Sequence, residues 1–176
     1  MVITQCDDHP PRRARVEELG IRLVHDTTSE EFINMQLHPR DTGGTFFEID
    51  QVLSEGAEAA DGPWHPAGPD WQQHKDTSRV GGIVAAEIQC DDPLAVATRW
   101  CEIAEVDVNS SDGTHVMAME NATVRFVSCT DGRPEGLGGI DVKANDLDAI
   151  LASAESRGCL GATNQVMLCG MRVNLV

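Results

Sequence analysis

The hydrophobic positions of this chain fall into short runs that recur in a fixed order. Residues 2–6, 83–90 and 139–144 form three such runs, each rich in residues that favour β-strands and each followed by an acidic or amide side chain. The clearest sign of a repeat is the sequence QCDD, which occurs at 5–8 and again at 89–92. The pattern predicts a chain built from repeated units that each begin with a strand.

A helix is expected directly after each of these strands. Asp8 precedes a pair of prolines, Asp92 is followed by Pro93, and Asn145 stands at the matching place in the third copy. A side-chain oxygen at such a position accepts a hydrogen bond from a free amide of the first helical turn. Proline is tolerated there because that turn needs no donor. We predict Asp8, Asp92 and Asn145 as helix caps.

The helix of the third copy shows its buried face most clearly. Its apolar residues recur at i, i+3, i+4 and i+7, the spacing of one helix face: Leu147, Ile150, Leu151 and Ala154. Glycine is favoured where the backbone turns left-handed at a helix end, and Gly20 and Gly158 each stand twelve residues after an aspartate. The second copy has Ala104 at this offset, so the repeat is imperfect there.

Further strands are predicted after each helix. They are 21–24, 32–37 and 45–49 in the first copy, 115–119 and 123–129 in the second, and 165–169 and 171–176 in the third. This gives an α+β fold of repeated βαβββ modules. The first module is 1–50, the second is 81–130, and a shortened third, 131–176, pairs with the second. Residues 51–80 are predicted to link the first module to the second.

The 51–80 segment is rich in glycine, proline, alanine and tryptophan, and its PWHPAGP sequence at 63–69 is incompatible with a regular helix or strand. Trp64 and Trp71 allow two interpretations. Either they pin a connector to the surface of the fold, or the segment is a lid over a ligand site, since long loops in compact domains are often functional. The sequence leaves both open.

The balance of charge limits the classes of partner. The chain of 176 residues has 29 acidic and 13 basic residues and a net charge of −16. Nucleic acids are bound through clustered Lys and Arg, so no nucleic-acid partner is expected, whereas an acidic surface attracts cationic ligands. The sequence has no 18-residue apolar run and no basic stretch leading into an apolar one at its start. Neither a membrane span nor a secretory signal is therefore predicted, and a cytoplasmic protein is expected.

Candidate chemistry concentrates in the sequence HPRDTGGTFFEID at 38–50. A proline ends one strand, polar residues and glycines make a turn, and a new strand begins at Thr45. Alternate residues of a strand share a face, which places Phe46 and Glu48 on one side and Phe47 on the other. A carboxylate held inside a cavity needs a metal or a countercharge. Glu48 is therefore a candidate site residue.

The HPRDTGG sequence at 38–44, followed by a strand that carries Glu48, resembles the vicinal oxygen chelate superfamily, in particular the glyoxalase-like branch of methylmalonyl-CoA epimerase and lactoylglutathione lyase. The βα unit with its paired aspartates resembles this superfamily as well. The resemblance implies that βαβββ modules pair into curved mixed sheets around a cavity. It also implies a divalent metal, held by a residue, typically histidine, on the first strand and one, typically glutamate, on the last strand of each module.

The ligand positions implied by this resemblance hold few suitable side chains. The last-strand position of the first module is Glu48. The other five positions, in chain order, are Met1, Ala85, Phe126, Gly139 and Asn174. None of these is a good ligand for such a metal, and Asn174 is a poor one. Since catalytic metal sites use about three protein ligands, Glu48 alone does not complete a site.

Two other residues are candidates to complete it. Glu87 shares a strand face with Ala85, and His115 lies on a predicted strand of the second module. Glu48 and His115 are therefore candidate ligands for a divalent Zn, Ni, Co, Fe or Mn ion, and Glu48 and Glu87 are candidate catalytic carboxylates. The alternative is that no metal is bound and that His115 is a locally hydrogen-bonded strand residue.

Two functions follow from the resemblance. The first is a small-molecule binding protein without an intact metal site, in which Phe46, Trp64 and Trp71 line the ligand pocket and the acidic charge favours a cationic ligand. The alternative is a metal-dependent lyase or isomerase, in which Glu48 is the surviving ligand and a carboxylate moves a proton of the substrate. The sequence does not decide whether the protein is an enzyme.

If modules pair around a cavity, a chain with three modules has one that is left without a partner in the same chain. If the second and third pair within the chain, the first, whose predicted strand begins at Met1, is free to pair with its counterpart in another chain or with an upstream module. We therefore expect a homodimer. Pairing across a two-fold axis brings two copies of Glu48 towards one site, where like charges need a cation or a shared proton.

Overall fold

The computed structural model describes residues 1–43, 45–57, 59 and 61–176 as a mixed α+β fold. The helices are α1 (His9–Glu18), α2 (Pro39–Thr42), α3 (Pro93–Ala104) and α4 (Leu147–Ser156). The strands are β1 (Val2–Gln5), β2 (Leu23–Thr28), β3 (Phe32–Leu37), β4 (Phe47–Val52), β5 (Val80–Cys90), β6 (Val108–Ser111), β7 (Thr114–Ala118), β8 (Thr123–Ser128), β9 (Gly136–Ala144), β10 (Gln165–Leu168) and β11 (Met171–Leu175). None of the helices in the described residues is both long and apolar enough to cross a membrane. The predicted α+β class is confirmed.

Packing divides the chain into two compact units. The first unit comprises Met1–Lys75 together with Glu102–Glu105, and the second comprises Asp76–Cys101 and Val106–Val176. The described strands of the first unit form a four-stranded sheet, and those of the second form a seven-stranded sheet.

The first unit is a βαβββ arrangement whose first and last strands lie side by side. Its sheet has the order β1-β4-β3-β2, with β1 parallel to β4 and the other neighbours antiparallel. Helix α1 packs on one face of β4. Val16, Phe47 and Ile49 are buried there and form an apolar core.

The second unit contains two such arrangements, of which the second is shorter. Strands β5 to β8 with α3 form one, and β9 to β11 with α4 form the other, in the sheet order β10-β11-β9-β5-β8-β7-β6. The two first strands, β5 and β9, are antiparallel neighbours, while β5 is parallel to β8 and β9 is parallel to β11. The second and third copies of the repeat therefore share one sheet.

Each helix of the second unit covers apolar residues on the same side of this sheet. Trp100 of α3 meets Phe126 of β8 edge-on, with ring centroids 5.6 Å apart. The predicted apolar face of α4 packs on Val142, Val166 and Leu175, which confirms the helical spacing seen in the sequence. The opposite side of the sheet is left for polar residues.

The helix starts follow the repeat, with two corrections. Asp8 precedes α1 as predicted, but its side chain makes no capping hydrogen bond. The Asp92 side chain accepts a hydrogen bond from the amide three residues later (3.0 Å), and Asp146 does the same in the third copy (3.2 Å). The prediction of Asn145 as the third cap is therefore wrong by one residue. The side-chain amide of Asn145 donates instead to the backbone carbonyl oxygen of Thr77 (2.8 Å), which belongs to the segment before β5.

The C-terminal ends of the helices follow the repeat as well. Gly20 and Gly158 both adopt φ of +64°, as predicted for the residue after a helix. In the second copy α3 runs through Ala104, and Glu105 takes the left-handed conformation with φ of +56°. Counted from the cap, the helix of the second copy thus ends two residues later than the helices of the other copies, and its left-handed residue comes one position later.

Predicted strand bounds differ from the structure where strands are polar. Strand β2 spans Leu23–Thr28 and not 21–24, and β6, Val108–Ser111, was not predicted. Both lie at sheet edges with mostly exposed side chains, so they lack the apolar alternation of a half-buried strand.

The segment before β4 also differs. The predicted turn contains one turn of helix, α2, which ends at Gly43 with φ of +89°. Gly44 of the HPRDTGG motif lies outside the described residues. Strand β4 begins at Phe47 and continues to Val52.

Candidate functional site

The repeat and the strand register together locate equivalent positions in the three copies. The residues five positions before each helix cap lie on first strands: Ile3, Glu87 and Asp141. Their neighbours on the last strand of the same copy are Glu48, Arg125 and Asn174. The resemblance places a metal ligand at these last-strand positions.

The assignment of Phe126 to this position in the second copy is therefore wrong by one residue. Residues that face each other on neighbouring strands share a side of the sheet, and Arg125 pairs with Glu87 whereas Phe126 pairs with Ile88. Phe126 is buried against Trp100 on the helix side. A shift of one residue moves a strand side chain to the other face, and the spacing of the repeat was not accurate enough to exclude it.

In the first unit, Glu48 lies on a buried polar face of the sheet. Glu48 and Asp50 alternate along β4 with the apolar residues that face α1, and Asn34 is the β3 neighbour of Asp50. The exposed fractions are 6% for Glu48, 0% for Asp50 and 5% for Asn34. The Asn34 amide donates to the Asp50 carboxylate, with an Nδ2–Oδ1 distance of 2.8 Å. Asp50 was not predicted as a site residue, although it stands two residues after Glu48 and so shares its face.

These three side chains have oxygen atoms without donors. Among the described residues, Glu48 Oε2, Asp50 Oδ2 and Asn34 Oδ1 are buried and accept no hydrogen bond. Burial disfavours an ionised carboxyl group. The pKa of Asp50 is accordingly raised to about 7, chiefly by burial; the hydrogen bond from Asn34 opposes the rise, and the neighbouring Glu48 carboxyl adds to it. Below about pH 7, Glu48 and Asp50 therefore form a pair of carboxyl groups in which Asp50 keeps its proton.

The described residues of the segment 53–75 (53–57, 59 and 61–75), here termed the connector, pack on this polar face. At the β1 edge, Gln5 donates from Nε2 to a connector carbonyl oxygen at 2.8 Å. On β3, Phe32 stacks on His65, with centroids 5.2 Å apart, and meets Trp64 edge-on at 6.1 Å. The two connector rings thus attach the connector to the sheet.

The connector and the β1 edge border a cavity of about 220 Å³. Its lining residues are Gln5, Ala57, Ala59, Gly62, Pro63, Trp64, Ala67 and Trp71. The Trp71 indole N–H donates to the Gly62 carbonyl oxygen at 3.2 Å, which sets the direction of the ring. Two of the three predicted pocket residues, Trp64 and Trp71, therefore line one cavity. Phe46 is 37% exposed and is not among the lining residues.

The equivalent face of the second unit carries ion pairs. Arg125 donates to both oxygens of Asp141 and to Glu87 at 3.1 Å. Arg172 donates to the other oxygen of Glu87 from Nε (2.9 Å) and Nη2 (2.8 Å). Both oxygens of Glu87, a predicted catalytic carboxylate, are thus engaged by guanidinium groups.

His115 lies on the other side of that sheet. It pairs with Phe126 in the register of β7 and β8, on the helix side, whereas Glu87 pairs with Arg125 on the opposite face. The Nδ1 atom of His115 is 2.8 Å from the hydroxyl of Ser110. The structure therefore does not bring Glu87 and His115 together, and the local hydrogen bond matches the simpler interpretation of this histidine.

The described residues contain no group of three or more His, Cys, Asp or Glu side chains placed to hold a metal ion. The first unit offers two carboxyl groups, Glu48 and Asp50, with the amide oxygen of Asn34. The carboxylates of the second unit already face guanidinium groups. The residues present therefore do not match the histidine and glutamate ligands that the resemblance implies for a divalent metal.

The raised pKa of Asp50 predicts that stability falls as the pH rises. The unfolded carboxyl group loses its proton near pH 4 and the folded one near pH 7. Between these values the folded state holds the additional proton, so the free energy of unfolding falls with pH, by up to about 4 kcal/mol at about 1.4 kcal/mol per pKa unit. Asp50→Asn should remove this dependence in urea unfolding between pH 4 and 8.

The matched control is Asp41→Asn in the same unit. Hydrogen bonds from Arg22 hold the pKa of Asp41 well below its usual range, so its effect on pH dependence lies below pH 4. Burial lowers the pKa of His9, which adds a rise of stability towards neutral pH, so the quantity to compare is the difference between variant and wild type. A difference for Asp50→Asn that is constant between pH 4 and 8 contradicts the prediction.

No known protein family matches the sequence, and no curated protein does. Solved structures do match. The chain aligns with the Mn(II)-bound glyoxalase from Novosphingobium aromaticivorans with a TM-score of 0.62 and 11% identity, over 98% of this chain and 60% of that chain. It aligns with 2,2',3-trihydroxybiphenyl 1,2-dioxygenase from Sphingomonas wittichii strain RW1 with a TM-score of 0.62 and 12% identity, over 98% and 67%. A hypothetical protein from Staphylococcus aureus gives 0.59 and 9%, over 99% and 64%.

The chain thus spans less than two thirds of the length of the glyoxalase and of the hypothetical protein. Identities between 9% and 12% establish a common fold and nothing finer. The protein has the glyoxalase-like α+β fold.

Proposed function

We propose that this protein is a member of the vicinal oxygen chelate superfamily that binds a small organic molecule without using a metal. The observation that carries this proposal is the cavity of the first unit, whose walls include Trp64 and Trp71 of the connector. The glyoxalase-like fold supports the superfamily assignment. The HPRDTGG motif and the burial of Glu48 on the polar face agree with it.

The size and lining of the cavity indicate the class of ligand. Pockets for drug-sized molecules measure about 300–1,000 Å³, so a cavity of about 220 Å³ suits a molecule the size of one substituted aromatic ring. Two indole rings attract a cation held over their faces, by about 0.5–2 kcal/mol. A net charge of −16 steers cations towards the protein. A small organic cation therefore fits the site best.

The connector also reduces the entropic cost of binding. The hydrogen bond from Trp71 to Gly62 and the contact of Trp64 with Phe32 hold both indoles in place before a ligand arrives. Binding to a preorganised pocket loses less side-chain freedom than binding to a mobile one. The connector is thus both attached to the sheet and part of the ligand site. The two interpretations of Trp64 and Trp71, as anchors of a connector and as parts of a ligand site, are therefore compatible.

A matched pair of probes tests this site. Phenyltrimethylammonium should bind more tightly than tert-butylbenzene, which has the same shape without the charge, by about 2- to 30-fold because of the cation–π attraction. Trp71→Phe should weaken binding of the cation, since phenylalanine has the weaker ring and lacks the N–H that bonds Gly62. Isothermal titration calorimetry at low salt measures both differences.

The control variant is Trp100→Phe in the second unit. Trp100 is fully buried against Phe126, so its replacement should lower the melting temperature and leave the affinity for the cation unchanged. Equal affinities of wild type and Trp71→Phe, or the absence of binding in the wild type, would sink the proposal.

A metal-dependent lyase or isomerase is the second candidate. The buried oxygens of Glu48 and Asp50 that accept no hydrogen bond favour it, because a cation would satisfy them. Two carboxyl groups and one amide fall short of the histidine-containing set that the resemblance implies, so no catalytic step is assigned to a metal. Under this alternative, Glu48 would be the metal ligand.

Metal analysis separates the two candidates. Protein purified without chelator should contain no stoichiometric transition metal, and Ni²⁺ or Zn²⁺ should leave its melting curve unchanged. About one equivalent of bound metal, lost in Glu48→Ala and retained in Glu87→Ala, would establish the alternative instead. Glu87 is the fitting control because both of its oxygens are already engaged by arginines.

The edge position of β1 supports a homodimer. In the second unit the equivalent first strands, β5 and β9, pair with each other in antiparallel fashion. In the described part of the first unit, β1 pairs on one side only, with β4. An unpaired strand edge is a template for another strand, so β1 of a second copy fits against it by the same antiparallel pairing.

A proline substitution tests this pairing. The amides of Val2 and Cys6 donate to the β4 side at 3.0 and 2.8 Å, so by alternation the Ile3 amide points outward. Ile3→Pro removes that donor and should convert a dimer into a monomer in light scattering after size exclusion. Val24→Lys on the opposite edge strand β2, where Val24 is 49% exposed, should remain dimeric. A wild type that is monomeric at every concentration refutes the dimer.

A further inference from the structure

The side of the second unit's sheet that faces away from α3 and α4 carries a continuous set of ion pairs, here termed the guanidinium network. Its members are Glu87, Gln89, Arg125, Asp131, Arg133, Asp141 and Arg172. Three guanidinium groups face three carboxylates, so the charges of the network cancel. Partly buried charges persist only when they are paired and hydrogen-bonded in this way.

Arg125 crosses β5 from its place on β8. Its Nη1 and Nη2 atoms donate to the two oxygens of Asp141, the second at 2.9 Å, and Nη2 also donates to Glu87 at 3.1 Å. The β5 neighbour of Asp141 is Ala85, whose methyl group leaves room for the guanidinium to pass. The hydrogen bonds from Arg125 hold the pKa of Asp141 below its usual range, so this carboxylate stays charged.

Two glycines of β9 leave room for Arg172, and a Cβ atom at the first of them, Gly138, would collide with its Nη2 atom. This Nη2 atom donates to Glu87 at 2.8 Å and to Gln89 at 2.9 Å. A Cβ atom at Gly139 would lie 2.8 Å from the Arg172 carbonyl oxygen and 3.4 Å from Glu87 Oε1. Ala85 and Gly139 are the two first-strand positions at which the resemblance implies metal ligands in this unit. Both are small residues: Ala85 lies beside the path of Arg125, and Gly139 allows the Arg172 backbone and Glu87 to approach closely.

We propose that the Arg125 guanidinium takes the place of a divalent cation on this face of the second unit. Arg125 occupies the last-strand position equivalent to Glu48, and its partners Glu87 and Asp141 have side chains only 13% and 12% exposed. A guanidinium gives carboxylate oxygens the positive charge and the directed contacts that a metal ion gives elsewhere. The inference concerns the second unit and does not rest on the ligand site of the first.

Removal of this guanidinium should uncover a cation site. Asp141 and Glu87 Oε2 would lose their guanidinium partner, while Arg172 would still hold Glu87 Oε1. Asn174 stands beside them and donates from Nδ2 to Asp141 at 2.7 Å, with its own oxygen accepting from Gln165. Oxygen ligands of this kind suit hard cations such as Mn²⁺ and Ca²⁺. Loss of Arg125 therefore creates a requirement for an added ion.

The experiment compares the melting temperatures of the full chain and of Arg125→Ala with EDTA, Mn²⁺ or Ca²⁺. The wild type should melt at the same temperature in all three. Arg125→Ala should melt lower in EDTA and gain about 3 °C or more with millimolar Mn²⁺, because an ion that binds the folded state alone stabilises it. Arg125→Lys keeps a positive charge and should show no gain.

Two double variants identify the site of the ion. Arg125→Ala with Asp141→Asn should lose the response to Mn²⁺, since one of the uncovered carboxylates is gone. Arg125→Ala with Glu48→Gln should keep it, since Glu48 belongs to the first unit. Loss of the response in the second double variant alone would assign the ion to the first unit and overturn the inference.

Other outcomes also decide it. A wild-type response to Mn²⁺ that disappears in Asp141→Asn would show that the guanidinium does not replace the ion. A folded Arg125→Ala without any response would overturn the inference as well. If Arg125→Ala is unfolded in EDTA, recovery of its circular dichroism spectrum on adding Mn²⁺ supports the inference, and failure to recover contradicts it.

Discussion

A carboxyl group buried on the face of a β-sheet must be neutralised by a proton, by a countercharge or by an ion, and this constraint shapes both units of the protein. In the first unit, Asp50 keeps its proton beside Glu48, with a pKa raised to about 7. In the second, Glu87 and Asp141 face the guanidinium of Arg125. The polar face thus carries two carboxyl groups, one of them protonated, in the first unit and salt bridges in the second.

The repeat explains how one architecture supports these two solutions. Each copy places its first strand beside its last, so equivalent side chains project from the same side of each sheet. The opposite side is covered by a helix and is apolar in every copy. Changes confined to the polar side, such as glutamate at 48 and arginine at 125, therefore leave the core intact and alter only the chemistry of the face.

The connector gives the first unit a feature that the helix-and-strand repeat does not provide. Its rings pack on Phe32, and its two tryptophans border the cavity near Gln5. Aromatic side chains supply large contact area at low entropic cost, which suits a segment with little regular structure. The ligand site that we propose therefore depends on the connector as well as on the repeated geometry of the sheet.

The sequence by itself determined the class of fold, the three copies and most helix limits, because capping residues, glycine at helix ends and apolar spacing act over a few neighbouring residues. It also pointed to Glu48. Only the tertiary structure decided which side chains meet. Glu87 bonds arginines 38 and 85 residues away in the chain, and a one-residue difference in register separates Arg125 on the polar face from Phe126 in the core. Strand faces alternate at every residue and partners are distant, so neither can be read from local pattern.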